Sequence, residues 1–266
     1  MQLQDKAILL TGASGGIGQA LARELAARGA RLGLVGQRRE PLETLRDALQ
    51  VQGIEALAIP ADLTTTEGRE SVVRVMQKAF GGIDVLINSA GIQEFIEVAD
   101  QDPQMLERTM KVNAIAPMQL IQAVLPDMLQ RGRGRIVNVG STFGSIGFAC
   151  FASYSASKFA LRGFSEALRR EIAGSGVDVT YVAPRAVKTA LNSAAVHHMA
   201  ETVKMNMDPP LWVARQIVRA IEKDKKDVYL GFPESLFVRI NSLLPRLVDA
   251  ATRKQNAIMR RFTHEC

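Results

Sequence analysis

The sequence predicts an α/β fold: a doubly wound, seven-stranded parallel sheet with helices on both faces, three layers α/β/α in all. Short aliphatic or β-branched runs alternate with longer segments whose apolar residues recur every three or four positions, as strands buried on two faces and the helices that cross between them require. A glycine-rich turn joins the first such run to the first helical segment. The 266 residues, 47% of them apolar, suffice for one large core, and no stretch approaches the length of a membrane span.

Taken in order, the first strand is expected from Lys6 to Thr11, followed by the turn Thr11-Gly-Ala-Ser-Gly-Gly-Ile-Gly18 and a helix reading Ile17, Leu21, Leu25. Six further strands are expected at Arg31 to Val35, Glu55 to Ile59, Val85 to Asn88, Arg135 to Val139, Val177 to Val182 and Asp227 to Leu230. Between them, Leu42 to Gln50, Val72 to Phe80, Ile115 to Met128, Tyr154 to Ile172 and Trp212 to Ile221 carry a helical period. Residues 188–210 show little periodicity, with His197, His198, several methionines and Pro209-Pro210, and read as a mobile flap. Beyond Phe232 an apolar stripe of Leu236, Ile240, Leu243, Leu247 and Ala251, with Phe237, Leu244 and Val248 beside it, predicts a helical extension that Pro245 kinks or divides.

The chemistry begins in the first turn. Gly12, Gly15, Gly16 and Gly18 between a buried strand and an amphipathic helix make a phosphate cradle, because absent side chains let the backbone approach a pyrophosphate at the helix N-terminus. A second pattern, Tyr154-Ser-Ala-Ser-Lys158, sets a phenol and an ammonium on one helical face. An ammonium so placed favours the phenolate, whose acid has a pKa of about 10 when unperturbed. In an open sheet ligands sit beyond the carboxyl ends of the strands, and Asp62, Asn88, Ala90, Gly91, Ser141 and Pro184 to Thr189 all fall there.

Together, Thr11 to Gly18, Asp62, Asn88-Ser-Ala-Gly91, Asn113, Ser141 thirteen residues before Tyr154-x-x-x-Lys158, and Pro184 with Thr189 resemble the motif series of the short-chain dehydrogenase/reductase family, over nearly the whole chain up to about Phe232. The resemblance implies a Rossmann fold in residues 1–232, combining dinucleotide binding and catalysis, with residues 233–266 as the extension. It implies that Tyr154 is the acid or base, that Lys158 lowers its pKa and holds the nicotinamide ribose, that Ser141 hydrogen-bonds the substrate oxygen, and that Asn113 holds a water in a proton relay. The cofactor would lie on Gly12, Ser14, Gly15, Gly16, Ile17, Gly18, Asp62, Leu63, Asn88, Ala90, Gly91, Pro184, Val187 and Thr189. Two positions depart from the family pattern: Ser89 stands where a second asparagine is usual, and Arg185 where glycine usually follows the proline.

Cofactor choice turns on the end of the second strand, where an acidic side chain accepts ribose hydroxyls and a basic one binds a 2′-phosphate. The sequence there is Gly36-Gln37-Arg38-Arg39, so NADP(H) is expected in preference to NAD(H), with Arg38 the first phosphate contact and Arg39 the second. The expected activity is interconversion of a ketone or aldehyde with an alcohol, the substrate being hydrophobic since Met199, Met205 and Met207 offer a pliable surface. The alternative is a nucleotide-sensing or scaffold protein that kept the fold and lost turnover. The long Arg185 side chain is expected to run to solvent, the alternative being that it points into the active site and favours an anionic substrate group.

Partners follow from charge and pattern. The formal charge of +6 and pI near 9.5 invite a nucleic-acid reading, but the basic residues are scattered and aromatics make up 5%, so no nucleic acid is expected. In the extension Arg239, Arg246, Arg253, Lys254, Arg260 and Arg261 outnumber Glu234, Asp249 and Glu265. Its stripe is expected to pack on the chain's own substrate lobe or a second subunit, peripheral contact with an anionic membrane being the weaker alternative. The family resemblance implies a homodimer or homotetramer pairing through the helices at 115–128 and 154–172. Cys150 and Cys266 have neither metal-ligand spacing nor disulfide density, so no metal is expected. With the first strand so near Met1 there is no room for a cleavable signal, and the expected location is the cytoplasm.

Overall fold

Strand side chains alternate between two faces, and in this protein each face has its own apolar core. The computed structural model describes residues 1–263; Glu265 and Cys266 lie outside the described residues. Strands β1 (Ala7–Thr11), β2 (Arg31–Gly36), β3 (Ala56–Pro60), β4 (Val85–Asn88), β5 (Gly134–Val139), β6 (Val177–Ala183) and β7 (Asp227–Tyr229) form one parallel sheet in the order β3-β2-β1-β4-β5-β6-β7. On β1, Ile8 and Leu10 join one core with Leu21 and Leu25 of α1 (Gly16–Ala26), Leu42 and Leu45 of α2 (Arg39–Gln50) and Ile217 of a later helix. Ala7 and Leu9 join the other, with Val72 and Met76 of α3 (Thr66–Phe80). The chain leaves β1 toward β2 and later returns to β4 on its other side, where Leu10 pairs with Ile87. That reversal opens a crevice above the carboxyl ends of β1 and β4.

Past β4 the structure adds a helix absent from the sequence expectations, α4 (Pro103–Met110), capped by Asp102, whose carboxylate accepts from the Gln104 amide at 3.0 Å. It runs through a π-helical turn, Lys111–Ile115, into α5 (Ala116–Gln130). After β5, Ser141 caps a 3₁₀ turn at Thr142–Gly144, and α6 (Ala152–Glu171) follows.

The segment 188–210 is not without structure: Ser193 accepts from the Val196 amide at 3.3 Å and starts α7 (Ala194–Thr202), which buries Val196, Met199 and Ala200. Only these three apolar side chains anchor it, too few for a clear period in the sequence. Asp208 then bridges to Val187, and α8 (Pro210–Glu222) begins, with Trp212 38% exposed in its first turn. In the extension, α9 (Glu234–Leu243) and α10 (Pro245–Met259) are separate helices, Leu244 adopting a non-helical conformation before Pro245 at the first position of α10. Val238 and Val248 pack on Ile146 of the main fold, whereas Leu243 and Leu244 are largely exposed. No helix of the described residues is long and apolar enough to cross a membrane.

Candidate active site

Backbone geometry makes the first half of the site. Gly12 holds a left-handed φ of +67°, and a Cβ on it would stand 2.7 Å from Ala90 Cα, so the β1 turn lies against the β4 loop as only glycine permits. A Cβ on Gly18 would collide with the Gly12 carbonyl oxygen, so glycine there lets the first turn of α1 pack onto the strand end. No side chain caps α1, so its N-terminal amides are available to an anion. Thr11 Oγ1 accepts from the Ser89 and Ala90 amides at 3.0 and 3.2 Å and fixes the β4 loop beside the cradle. The Ser89 hydroxyl itself is buried without a hydrogen-bond partner among the described residues, at the junction of this cleft with the pocket beside it. A cradle that a Cβ would fill, uncapped amides and an unpartnered hydroxyl together fit a dinucleotide.

The cleft, of about 620 Å³, is lined by Gly12, Ser14, Gly15, Gly16, Ile17, Gly18, Arg38, Asp62, Leu63, Asn88, Ala90, Gly91 and Thr189, and additionally by Gln37, Thr64, Arg108 and Val112. Arg39 is not among the lining residues: its guanidinium turns one helical turn along α2 to Glu43, at 3.2 Å. Arg108, on α4, brings a second cation to the cleft from its far wall. Asn88 lines the cleft, but its amide donates to Asn138 Oδ1 at 2.9 Å, tying β4 to β5. Burial acts to raise the Asp62 carboxyl, but hydrogen bonds from the Thr64 amide and hydroxyl and from Gln37, with the charge of Lys111, hold it below its usual value.

Ser141, Tyr154, Lys158, Pro184, Arg185, Val187 and Thr189 meet in an adjoining pocket of about 100 Å³ at the ends of β5 and β6. Tyr154 enters from the first turn of α6, and burial pushes its phenol up to about 12, opposed by a hydrogen bond with the Ser141 hydroxyl. Lys158 lies one turn further. Its Nζ is 5.7 Å from the Tyr154 ring centroid and donates to the Val139 carbonyl at 3.1 Å. The ammonium thus stands over the ring face, and burial brings its own pKa down to about 8. Ser141 also accepts from the Phe143 amide at 3.1 Å.

Behind this loop sits Tyr181 of β6, unremarked in the sequence. Cβ atoms on Gly140 and Gly144 would collide with its ring and hydroxyl, so the Ser141 loop rests on it. Asn113 is fully buried in the π-helical turn, where its carboxamide accepts from the Ile92 amide at 2.8 Å and donates to the Ile92 carbonyl and to Ser157 Oγ. Both its amide hydrogens are engaged within the protein, in an arrangement that clamps the β4 loop to α6.

Arg185 corrects the sequence expectation. It does not run to solvent but pairs with Asp208 at 2.8 Å and Glu234 at 2.9 Å, and donates to the Phe232 carbonyl. These partners lie 23 and 49 residues away, invisible to local pattern. Phe143, Phe151 and Val196 add an apolar wall that the sequence did not single out, beside Met199, which it did.

A model of the family described as short chain dehydrogenase matches residues 6–200. The chain is similar to dehydrogenase/reductase SDR family member 7B of Bos taurus, 33% identical over 95% of this chain and 83% of that protein. It is similar also to the ketoacyl reductase HetN of Nostoc sp., 34% identical over 94% and 89% of the two chains. Among solved structures, a short-chain dehydrogenase from Streptomyces avermitilis matches with TM-score 0.81 and 30% identity over 94% of this chain and 97% of that one. A short chain dehydrogenase/reductase of Burkholderia phymatum in complex with NAD shares the fold at TM-score 0.85 and 22% identity, covering 93% and 96%.

Proposed function

The chain belongs to the short-chain dehydrogenase family, whose members are oxidoreductases, and from that premise we propose that it is an NADP(H)-dependent enzyme interconverting a ketone or aldehyde with an alcohol. The observation that carries this reading is the convergence of Ser141, Tyr154 and Lys158 in one pocket next to a glycine cradle fit for a pyrophosphate. The dinucleotide supplies a hydride to the carbonyl carbon, or accepts one in the reverse direction. Gly12, Gly16 and Gly18 with the α1 N-terminus would hold its pyrophosphate, and Arg38 at the end of β2 its 2′-phosphate.

In the reducing direction, a carbonyl gaining hydride develops negative charge on oxygen, and the hydroxyls of Tyr154 and Ser141 are the donors nearest to receive it. Burial keeps the Tyr154 phenol protonated at neutral pH, so it has a proton to give. Passing that proton to oxygen completes the alcohol and leaves a phenolate, which the Lys158 charge stabilises until solvent restores the proton. Ser141, held by the Phe143 amide and backed by Tyr181, keeps its place through the step.

Exposed Leu106, Ile115, Leu129 and Phe159, on or beside α4 to α6, support pairing of two copies through α5 and α6. The buried free thiol of Cys150 suits a reducing, cytoplasmic setting. The test is Tyr154→Phe: kcat/KM should fall by about 10²–10⁴-fold while the NADPH dissociation constant stays unchanged. A Tyr154→Phe enzyme as fast as the parent on its best substrate removes the proposal.

A further inference from the structure

We propose that a second cavity, walled by the C-terminal helices, receives the hydrocarbon tail of the substrate, so that the enzyme acts on carbonyls or alcohols carrying an extended apolar chain. The inference rests on the oxidoreductase reading above and adds to it a substrate class. The pocket around Tyr154 and Ser141 measures about 100 Å³, room for the reacting carbon and its oxygen but below the roughly 300–1,000 Å³ typical of ligand pockets. Beyond its wall, between the Ser141 loop, the end of the 188–210 segment and helices α9 and α10, lies a cavity of about 440 Å³.

The two spaces adjoin. Phe143, Arg185, Ala186 and Met205 line both. Phe143 meets the Tyr154 ring edge-on at 6.1 Å and stacks on Phe148, at 4.3 Å, on the cavity side. Between the reacting oxygen and the cavity therefore stand an aromatic ring and the thioether of Met205, a side chain with three rotatable bonds that yields to a ligand at low cost.

Much of the lining is hydrocarbon, and its one cation without a carboxylate partner among the described residues, Lys204, is exposed. Ile146, Phe148, Phe237, Ile240, Leu247 and Ala251 supply hydrocarbon. The guanidinium that reaches the wall, Arg185, is already neutralised by Asp208 and Glu234, and Glu234 also accepts from Asn206 at 3.1 Å. With Arg185 and Glu234 paired to each other and to Asp208 and Asn206, the enclosed wall offers chiefly hydrocarbon, which an apolar chain covers without leaving a polar group unpaired. The walls from α9 and α10 lie beyond residue 200, outside the part of the chain that the family model matches, while the opposite wall from Thr142 to Ala186 lies within it.

The test compares dodecanal with butanal as substrates, with NADPH, in the parent and in Ala251→Trp, which fills the cavity from α10. In the parent dodecanal should have the higher kcat/KM. In the variant that advantage should shrink by about tenfold or more, as when roughly two methylene groups lose burial, with butanal unchanged. An unchanged ratio overturns the inference and leaves the oxidoreductase reading intact. Ala251→Leu, a smaller filling, should give an intermediate loss and serves if the tryptophan variant does not fold by circular dichroism. If neither aldehyde is reduced, the oxidoreductase reading fails separately. Displacement of anilinonaphthalene sulfonate by 1-dodecanol then decides: a weaker displacement in Ala251→Trp supports a hydrocarbon-binding cavity, and an equal one overturns it.

Discussion

Burial acts on Tyr154 and Lys158 in one sense, toward the neutral form of each. For the lysine the consequence is a stability that depends on pH. Its pKa falls from the usual 10.5 to about 8, so between those values the unfolded chain binds a proton that the folded one does not. Stability of the unliganded protein therefore rises with pH from about 8 toward 10, by about 2–3 kcal/mol, and the penalty is constant below pH 8 where both states are protonated. Above pH 10 the raised phenols of Tyr154 and Tyr181 act oppositely, since the unfolded chain then loses protons that the folded one keeps. Urea midpoints measured from pH 7 to 10 should show the rise in the parent and lose it in Lys158→Met. Arg38 carries a second expectation at this scale, because it lines the dinucleotide cleft while Arg39 is held by Glu43. Arg38→Ser should raise the NADPH dissociation constant by roughly tenfold or more and leave that of NADH alone, while Arg39→Ser should change neither. Equal effects of the two substitutions on NADPH would reject the assignment. Ser141, Tyr154 and Lys158 are legible in the sequence because their meeting depends on spacing along one short stretch. Arg108 is not, since it reaches the cleft from a helix that the apolar pattern does not reveal.

Between elements, Arg185 is the link that joins the loop after β6 to Asp208 at the end of the flap segment and to Glu234 at the start of α9. Removing Arg185 from this partly buried cluster leaves the Asp208 and Glu234 carboxylates without their shared counter-charge. Arg185→Met should cost about 1–3 kcal/mol of stability by urea denaturation, and adding Asp208→Asn should recover part of it, since the orphaned charge is then gone. If the single variant is as stable as the parent, the link contributes nothing. Legibility of the elements follows their length and their apolar repeats. The long helices α5 and α6 and all seven strands stand close to their expected places. α7 escapes the pattern because three buried side chains make no period, and α4 because its signals are local ones, Asp102 as cap and Pro103 in the first turn. The π-helical turn at Asn113 leaves no trace, for one displaced hydrogen bond does not alter the spacing of apolar residues around it.

For the molecule as a whole, topology determines where chemistry can happen, and the motif residues sit at strand ends because the crevice opens only there. That is why so much of the site can be read from the order of short patterns along the chain. What lies outside that reading is the relation of α9 and α10 to the rest: a stripe of leucines does not say which of its members turn inward. Val248 beside it is buried, whereas Leu243 is 80% exposed. The chain also carries a built-in optical probe. Trp212 is its single tryptophan, exposed in the opening turn of α8, four residues past the Asp208 bridge that ends the flap segment. Indole emission follows the polarity around the ring, and Trp212 sits partly in solvent at the start of α8. Its emission therefore reports on the start of α8 without a label, and a stopped-flow trace of it on NADPH binding can be compared directly with the rate of turnover.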